Sequence, residues 1–270
     1  AGVGLSANGD RWFVSTTATG DLVGQGSNSA TAISDEQTGY LARAAYAFLK
    51  GPNHALHLGV NVSGVIDPQD TGAGPATTKQ LRLRERPELR TDDTRLVDTG
   101  AINADGLTAY GAEFGANWKN LFLQSEYFLI DVDRTATSDD PEFKGWYVQG
   151  AWTLTGEQHA WNSAAGGFRG VKPTNNFDPA NGHWGAWELA ARYSVLDLNY
   201  HEGVASAALP AGGVRGGAQT ISALGINFYP NSVIRFLLDY QHTDIDRITG
   251  LNTKAQTGFD ALSLRTQVAF

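Results

Sequence analysis

The chain has 270 residues, no cysteine, no methionine, 32 glycines, a formal charge of -8 and only 18% charged residues. Absent cysteine excludes disulfides, thiolate metal sites and cysteine nucleophiles, and the acidic balance argues against general nucleic-acid binding, which needs a basic surface. No stretch approaches the roughly 18 consecutive apolar residues of a transmembrane helix, so a membrane protein of this sequence crosses as a barrel.

The opening Ala1, Gly2, Val3, Gly4 and Leu5 form neither a basic n-region nor a long apolar h-region, and no Met starts them, which implies a processed or truncated chain. Period-two alternation dominates from there on. Residues 3–7 and 11–20 flank Asn8, Gly9 and Asp10, the hairpin signal. A polar run over 21–37 reads as a long loop. Strand 38–49 places Tyr40, Ala42, Ala44, Tyr46 and Phe48 opposite Arg43, and after a turn at Gly51, Pro52 and Asn53, strand 55–67 places Leu56, Leu58, Val60 and Val62 opposite His57, Asn61 and Ser63.

A second long loop leads to residues 80–90, reading Gln, Leu, Arg, Leu, Arg, Glu, Arg, Pro, Glu, Leu, Arg. In a strand, Arg82, Arg84, Arg86 and Arg90 share one face and Leu81, Leu83 and Leu89 the other. Same-face arginines about 6.8 Å apart repel by roughly 2.5 kcal/mol at an effective dielectric near 20, so the row needs water, carboxylates or a passing anion beside it. Arginines toward water with leucines toward something apolar is the pattern of a channel wall.

A short strand over 94–102 leads to strand 107–118, with Tyr110, Phe114 and Trp118 opposite Glu113 and Asn117. Strands 121–132 and 144–154 follow, separated by a polar loop. Residues 156–184 are one long irregular excursion. Strand 185–199 places Trp187, Leu189 and Tyr193 opposite Glu188, Arg192 and Ser194, and strands 219–229, 232–243 and 258–270 complete the chain.

This reading counts about thirteen strands, joined alternately by short turns and long loops, with aromatics near strand ends. Both are features of transmembrane barrels. The fold expected is all-β, a single transmembrane antiparallel barrel over residues 1–270, with an all-β soluble sandwich as the other reading. A closed bacterial barrel takes an even strand number, so the odd count implies missing N-terminal strands.

The chain resembles the phosphate-selective porins O and P of Gram-negative outer membranes. The match runs through Gly185, Ala186, Trp187, Glu188, Leu189, Ala190, Ala191, Arg192, Tyr193 and Ser194, then Leu196, Asp197 and Leu198. Gly145 to Val148, Leu154 to Glu157, Arg86 to Glu88, Asp98 to Gly100, Phe228 to Ser232 and the terminal Phe270 support it. The resemblance implies a sixteen-strand barrel with three strands absent here, a homotrimer set in outer-membrane lipid, and a pore that passes phosphate along an arginine ladder. Arg82, Arg84 and Arg86, with Arg90 beyond Pro87, match that ladder, and Arg43 joins them as an anion-binding candidate.

An arginine fork binds two oxygens of an oxyanion and stays charged. Against the ladder stands a second reading, in which the arginines pair with Glu113, Glu126 and Glu188 and stiffen the wall. Acidic loops (Asp92, Asp93, Asp139, Asp140, Glu142) and only six lysines keep a general or cation-tolerant porin open, as well as a non-conducting surface barrel. His54 and His57 point to opposite faces of one strand, so no metal site is expected, and no cofactor, nucleophile elbow or P-loop is visible. An enzyme is not expected.

Overall fold

The structure is a computed structural model in which residues 2–20, 37–71, 78–89, 94–135, 139–251 and 253–269 are described. Eleven long strands follow one another antiparallel, each paired with its sequence neighbour: β1 (Gly2–Asn8), β2 (Trp12–Thr19), β3 (Thr38–Gly51), β4 (His54–Asp67), β5 (Ile102–Trp118), β6 (Leu121–Arg134), β7 (Glu142–Thr153), β8 (Ala186–Tyr200), β9 (Val214–Tyr229), β10 (Ile234–Gly250) and β11 (Thr253–Val268). Two short strands, Asp70–Thr71 and Thr78–Leu81, branch from this meander and bring the sheet to thirteen. Among the described residues, β1 and β11 do not pair with each other.

The alternation in the sequence corresponds to two faces of this sheet. Leu58 and Val60 of β4, Leu123 of β6, Leu224 of β9 and Leu262 and Leu264 of β11 lie on the outer face, the last two 73% exposed. Register aligns these positions across strands: Leu58 opposes Phe114, Tyr127 opposes Trp146, and Trp187 opposes Phe228. The inner face holds His57, Glu113, Asn117, Glu188, Gln219, Asn227, Gln241 and Thr243, all buried.

Residues 80–90 are not a wall strand. Gln80 and Leu81 pair with Asn103 and Ile102 at the start of β5, the strand then breaks, and Arg84–Glu85 pairs with Val97–Asp98 in a separate two-stranded ribbon. Where two wall strands were expected (80–90 and 94–102), the described residues 80–89 and 94–101 form an inward excursion between β4 and β5. Pro87, which cannot donate to a ladder, follows the end of that ribbon at Glu85. Among the described residues the wall therefore has eleven long strands, where thirteen were expected.

The amphipathic reading survives in a different setting. Leu81 belongs to a buried cluster with Val97, Val132, Phe143, Leu198, Val214 and Ile245, with Leu83 and Leu96 packed against it. Those wall residues face inward, so the leucines rest on an apolar patch inside the sheet rather than on lipid.

Candidate anion pathway

Three kinds of contact hold the inward segment 78–101. The first is charge. Arg82 forms a two-pronged pair with Asp98, its Nε donating to Oδ1 at 2.7 Å. The guanidinium of Arg82, aided by the Gly100 N–H, holds the Asp98 carboxyl down to about 2, against the desolvation that opposes it. The second is backbone capture by wall side chains. Arg247 of β10 donates through Nη2 to the Asp98 carbonyl at 2.7 Å, Gln241 donates to the Pro87 carbonyl at 2.7 Å, and Gln219 donates to the Arg86 carbonyl at 3.4 Å. The third is the tip, where Glu88 accepts from Arg192 Nε at 3.0 Å, from Arg192 Nη2 at 3.0 Å and from Ser194 Oγ at 2.9 Å. The segment leaves the wall at β4 and β5 and is fastened on β8, β9 and β10.

Of the expected ladder, Arg82 is tied to Asp98 and Arg84 is exposed with no ion pair among the described residues. Arg86 is half-buried, with its carbonyl taken by Gln219. Arg90 lies outside the described residues, as does Phe270. Arg43 is not with the others. From β3 it grips Glu113 of β5 at 2.6 to 3.0 Å, while its Nη atoms donate to the carbonyls of Ala165 and Gly166 at 2.9 and 2.7 Å. The pairing expected under the second reading is thus present between Arg43 and Glu113. Glu188 instead pairs with His159 at 2.5 Å and accepts from Asn227 at 2.8 Å and Tyr229 at 3.1 Å.

The excursion over 156–184 also folds inward. Gln158 donates to the Pro52 carbonyl in the β3–β4 turn at 2.9 Å, so it enters from the short-turn end. Phe168 lies 5.5 Å from the His57 ring and 5.2 Å from Phe122, and His159 stacks on Phe122 at 4.5 Å. Gly115 on the wall permits this approach, because a Cβ there would sit 2.8 Å from the Phe168 ring. Gly166, in the left-handed region at φ 59, is pressed against Phe13 in the same way.

Between the two excursions is a cavity of about 790 Å³, lined among others by Glu88, Gln149, His159, Arg192, Asp239 and Arg265. Arg192 lies 3.8 Å over the Tyr147 ring and donates through Nη1 to Gln149 at 2.8 Å. Parity on the strands marks Arg192 and Arg265 as inward, and both line the cavity. Their grouping around the cavity follows from the excursion, which the strand pattern does not reveal. A clue existed in Leu196, Leu198 and Ile245, apolar residues at inward positions, which need something apolar to cover them.

The whole chain, residues 1–270, matches the family model for phosphate-selective porin O and P. It is 31% identical over 241 residues to Porin O of Pseudomonas aeruginosa, covering 84% of this chain and 52% of that protein. It is 28% identical over 209 residues to an uncharacterized protein of Caulobacter vibrioides, covering 77% of this chain and 38% of that protein. The chain spans about half the length of the first of these relatives and less of the second. Proteins of this family are channels of Gram-negative outer membranes, not enzymes. An antiparallel meander with polar residues and arginine-bearing excursions inside it agrees with that match, and the chain belongs to the phosphate-selective porin O and P family.

Proposed function

We propose that the eleven-strand wall is part of a sixteen-strand transmembrane barrel through which phosphate and related anions diffuse, guided by Arg82, Arg84 and Arg86 with Arg90 and Arg43. The observation that carries this reading is Arg84, exposed and without an ion pair among the described residues, on a segment fastened inside the wall by β8, β9 and β10. A cation held there attracts an anion, and a fork that is not already filled by a carboxylate can bind two of its oxygens. Passage also needs weak holding at each step, which a short file of arginines in water provides.

The outer face supports insertion in lipid. Tyr110, Tyr127, Trp146, Trp152, Trp118 and Tyr240 are exposed beside exposed aliphatic residues such as Leu123, Leu224, Leu262 and Leu264. An exposed apolar face that carries aromatics suits a barrel spanning a membrane. Assembly as a homotrimer is part of the proposal through the family alone.

A second reading has specific support. Arg43, Arg82 and Arg192 each hold a carboxylate, which fits a general porin with a balanced transverse field. Planar-bilayer recording of the full-length protein separates the two. Anion preference together with block of chloride current by added phosphate supports the first reading, and cation preference or no block defeats it.

A further inference from the structure

The tip of the inward segment places a carboxylate where an oxyanion would bind. Glu88 has φ 50, in the left-handed region that residues other than glycine seldom adopt. It is held there by Gln241 on the Pro87 carbonyl and Gln219 on the Arg86 carbonyl, so wall side chains on both β9 and β10 fix the turn. Its carboxylate takes both prongs of Arg192 and the Ser194 hydroxyl. The guanidinium is oriented by stacking on Tyr147 and by its bond to Gln149. A planar fork plus a hydroxyl donor, fixed from behind and facing a cavity of about 790 Å³, is a donor set suited to a tetrahedral oxyanion.

We propose that Arg192 and Ser194, with Gln149 orienting the guanidinium, form an anion subsite that Glu88 occupies as a tethered internal ligand, so that Glu88 sets how strongly the channel holds phosphate. The proposal rests on the anion-pathway reading and adds a residue of opposite sign to it. With Glu88 in place, the Arg192 fork is filled and a passing anion is left to Arg84, which has no ion pair among the described residues. Removing the charge of Glu88 exposes a further binding step and slows release. Glu88 is a specificity-determining residue acting by competition at the Arg192 fork.

The test is chloride current through the full-length channel in planar bilayers, titrated with inorganic phosphate. Glu88→Gln is nearly isosteric and leaves both glutamine-to-carbonyl bonds in place. It is expected to lower the half-blocking phosphate concentration on the order of fivefold to tenfold, the worth of a charge-assisted pair. The double variant Glu88→Gln with Arg192→Gln is expected to lose that gain. Ser194→Ala in the Glu88→Gln background, which removes the hydroxyl donor of the subsite without touching the turn, is expected to take back part of that gain. A wild-type block unmoved by Glu88→Gln, or a gain that persists in the double variant, overturns the proposal alone and marks Glu88 as a strut. A wild-type channel that phosphate does not block at all overturns it together with the anion-pathway reading.

Discussion

Two inward excursions narrow the interior, and they are built on different physics. Residues 78–101 are fastened by charge: Arg82 on Asp98, Arg192 on Glu88, and side-chain donors on three carbonyls. Residues 156–184 are fastened by rings: Phe168 against His57 and Phe122, His159 on Phe122, and Trp161 5.2 Å from His57. The first keeps cations beside water, and the second fills space and buries the contact of His159 with Glu188. Selectivity is therefore expected to belong to the charged excursion and aperture to the aromatic one.

That division can be broken most forcefully at the aromatic excursion. Phe168→Ala removes the ring at the centre of its cluster and is expected to weaken docking of the segment by about 3 kcal/mol. Single-channel conductance should rise while ion preference stays near the wild-type value, and a lost anion preference would merge the two roles. At the charged excursion, Arg84→Ala with Arg86→Ala is expected to weaken phosphate block about tenfold, the value of one charge-assisted contact of roughly 1.4 kcal/mol, with conductance little changed.

A finer distinction is pH. The Asp98 carboxyl lies below its usual 3.8, at about 2 in the folded chain. A depressed carboxyl contributes its stabilisation in full above the unfolded value and loses it as pH falls through the folded one. The Arg82 to Asp98 pair should therefore hold from neutral pH to about 4 and fail toward 2, and reversal potentials recorded across that window should stay flat and then shift. The smallest expected effect is Gln241→Ala, which frees the Pro87 carbonyl at a cost of about 1 kcal/mol. Phosphate-block kinetics should become noisier without a change in the mean preference.

The wall was legible because alternation is a local property. Residues such as Arg43 and Glu113, or Trp187 and Glu188, are sorted by parity alone, and the structure places each on the face that parity assigns. Residues 80–90 show where parity fails. They alternate as cleanly as any wall strand, yet alternation states only that one face meets apolar atoms. Leu81 and Leu83 meet them on the inner wall, at Leu198, Val214 and Ile245, instead of outside. Glu85 and Pro87 are the local signs that this stretch does not run through lipid. The partners of Arg192 and Arg247 were not legible, because their contacts join residues about 100 and 150 positions apart, Glu88 and Asp98.

The claim tested most directly is that the 82–86 segment lines the conducting path. The chain has no cysteine, so Arg84→Cys introduces a unique thiol in it, with Leu264→Cys on the outer face as the control. Water-soluble thiol reagents of opposite charge are applied during recording of the full-length channel. The expected result is that the cationic reagent at position 84 restores anion preference, the anionic one reduces or reverses it, and neither acts at position 264. Currents and reversal potentials indifferent to modification at position 84 would contradict the pathway.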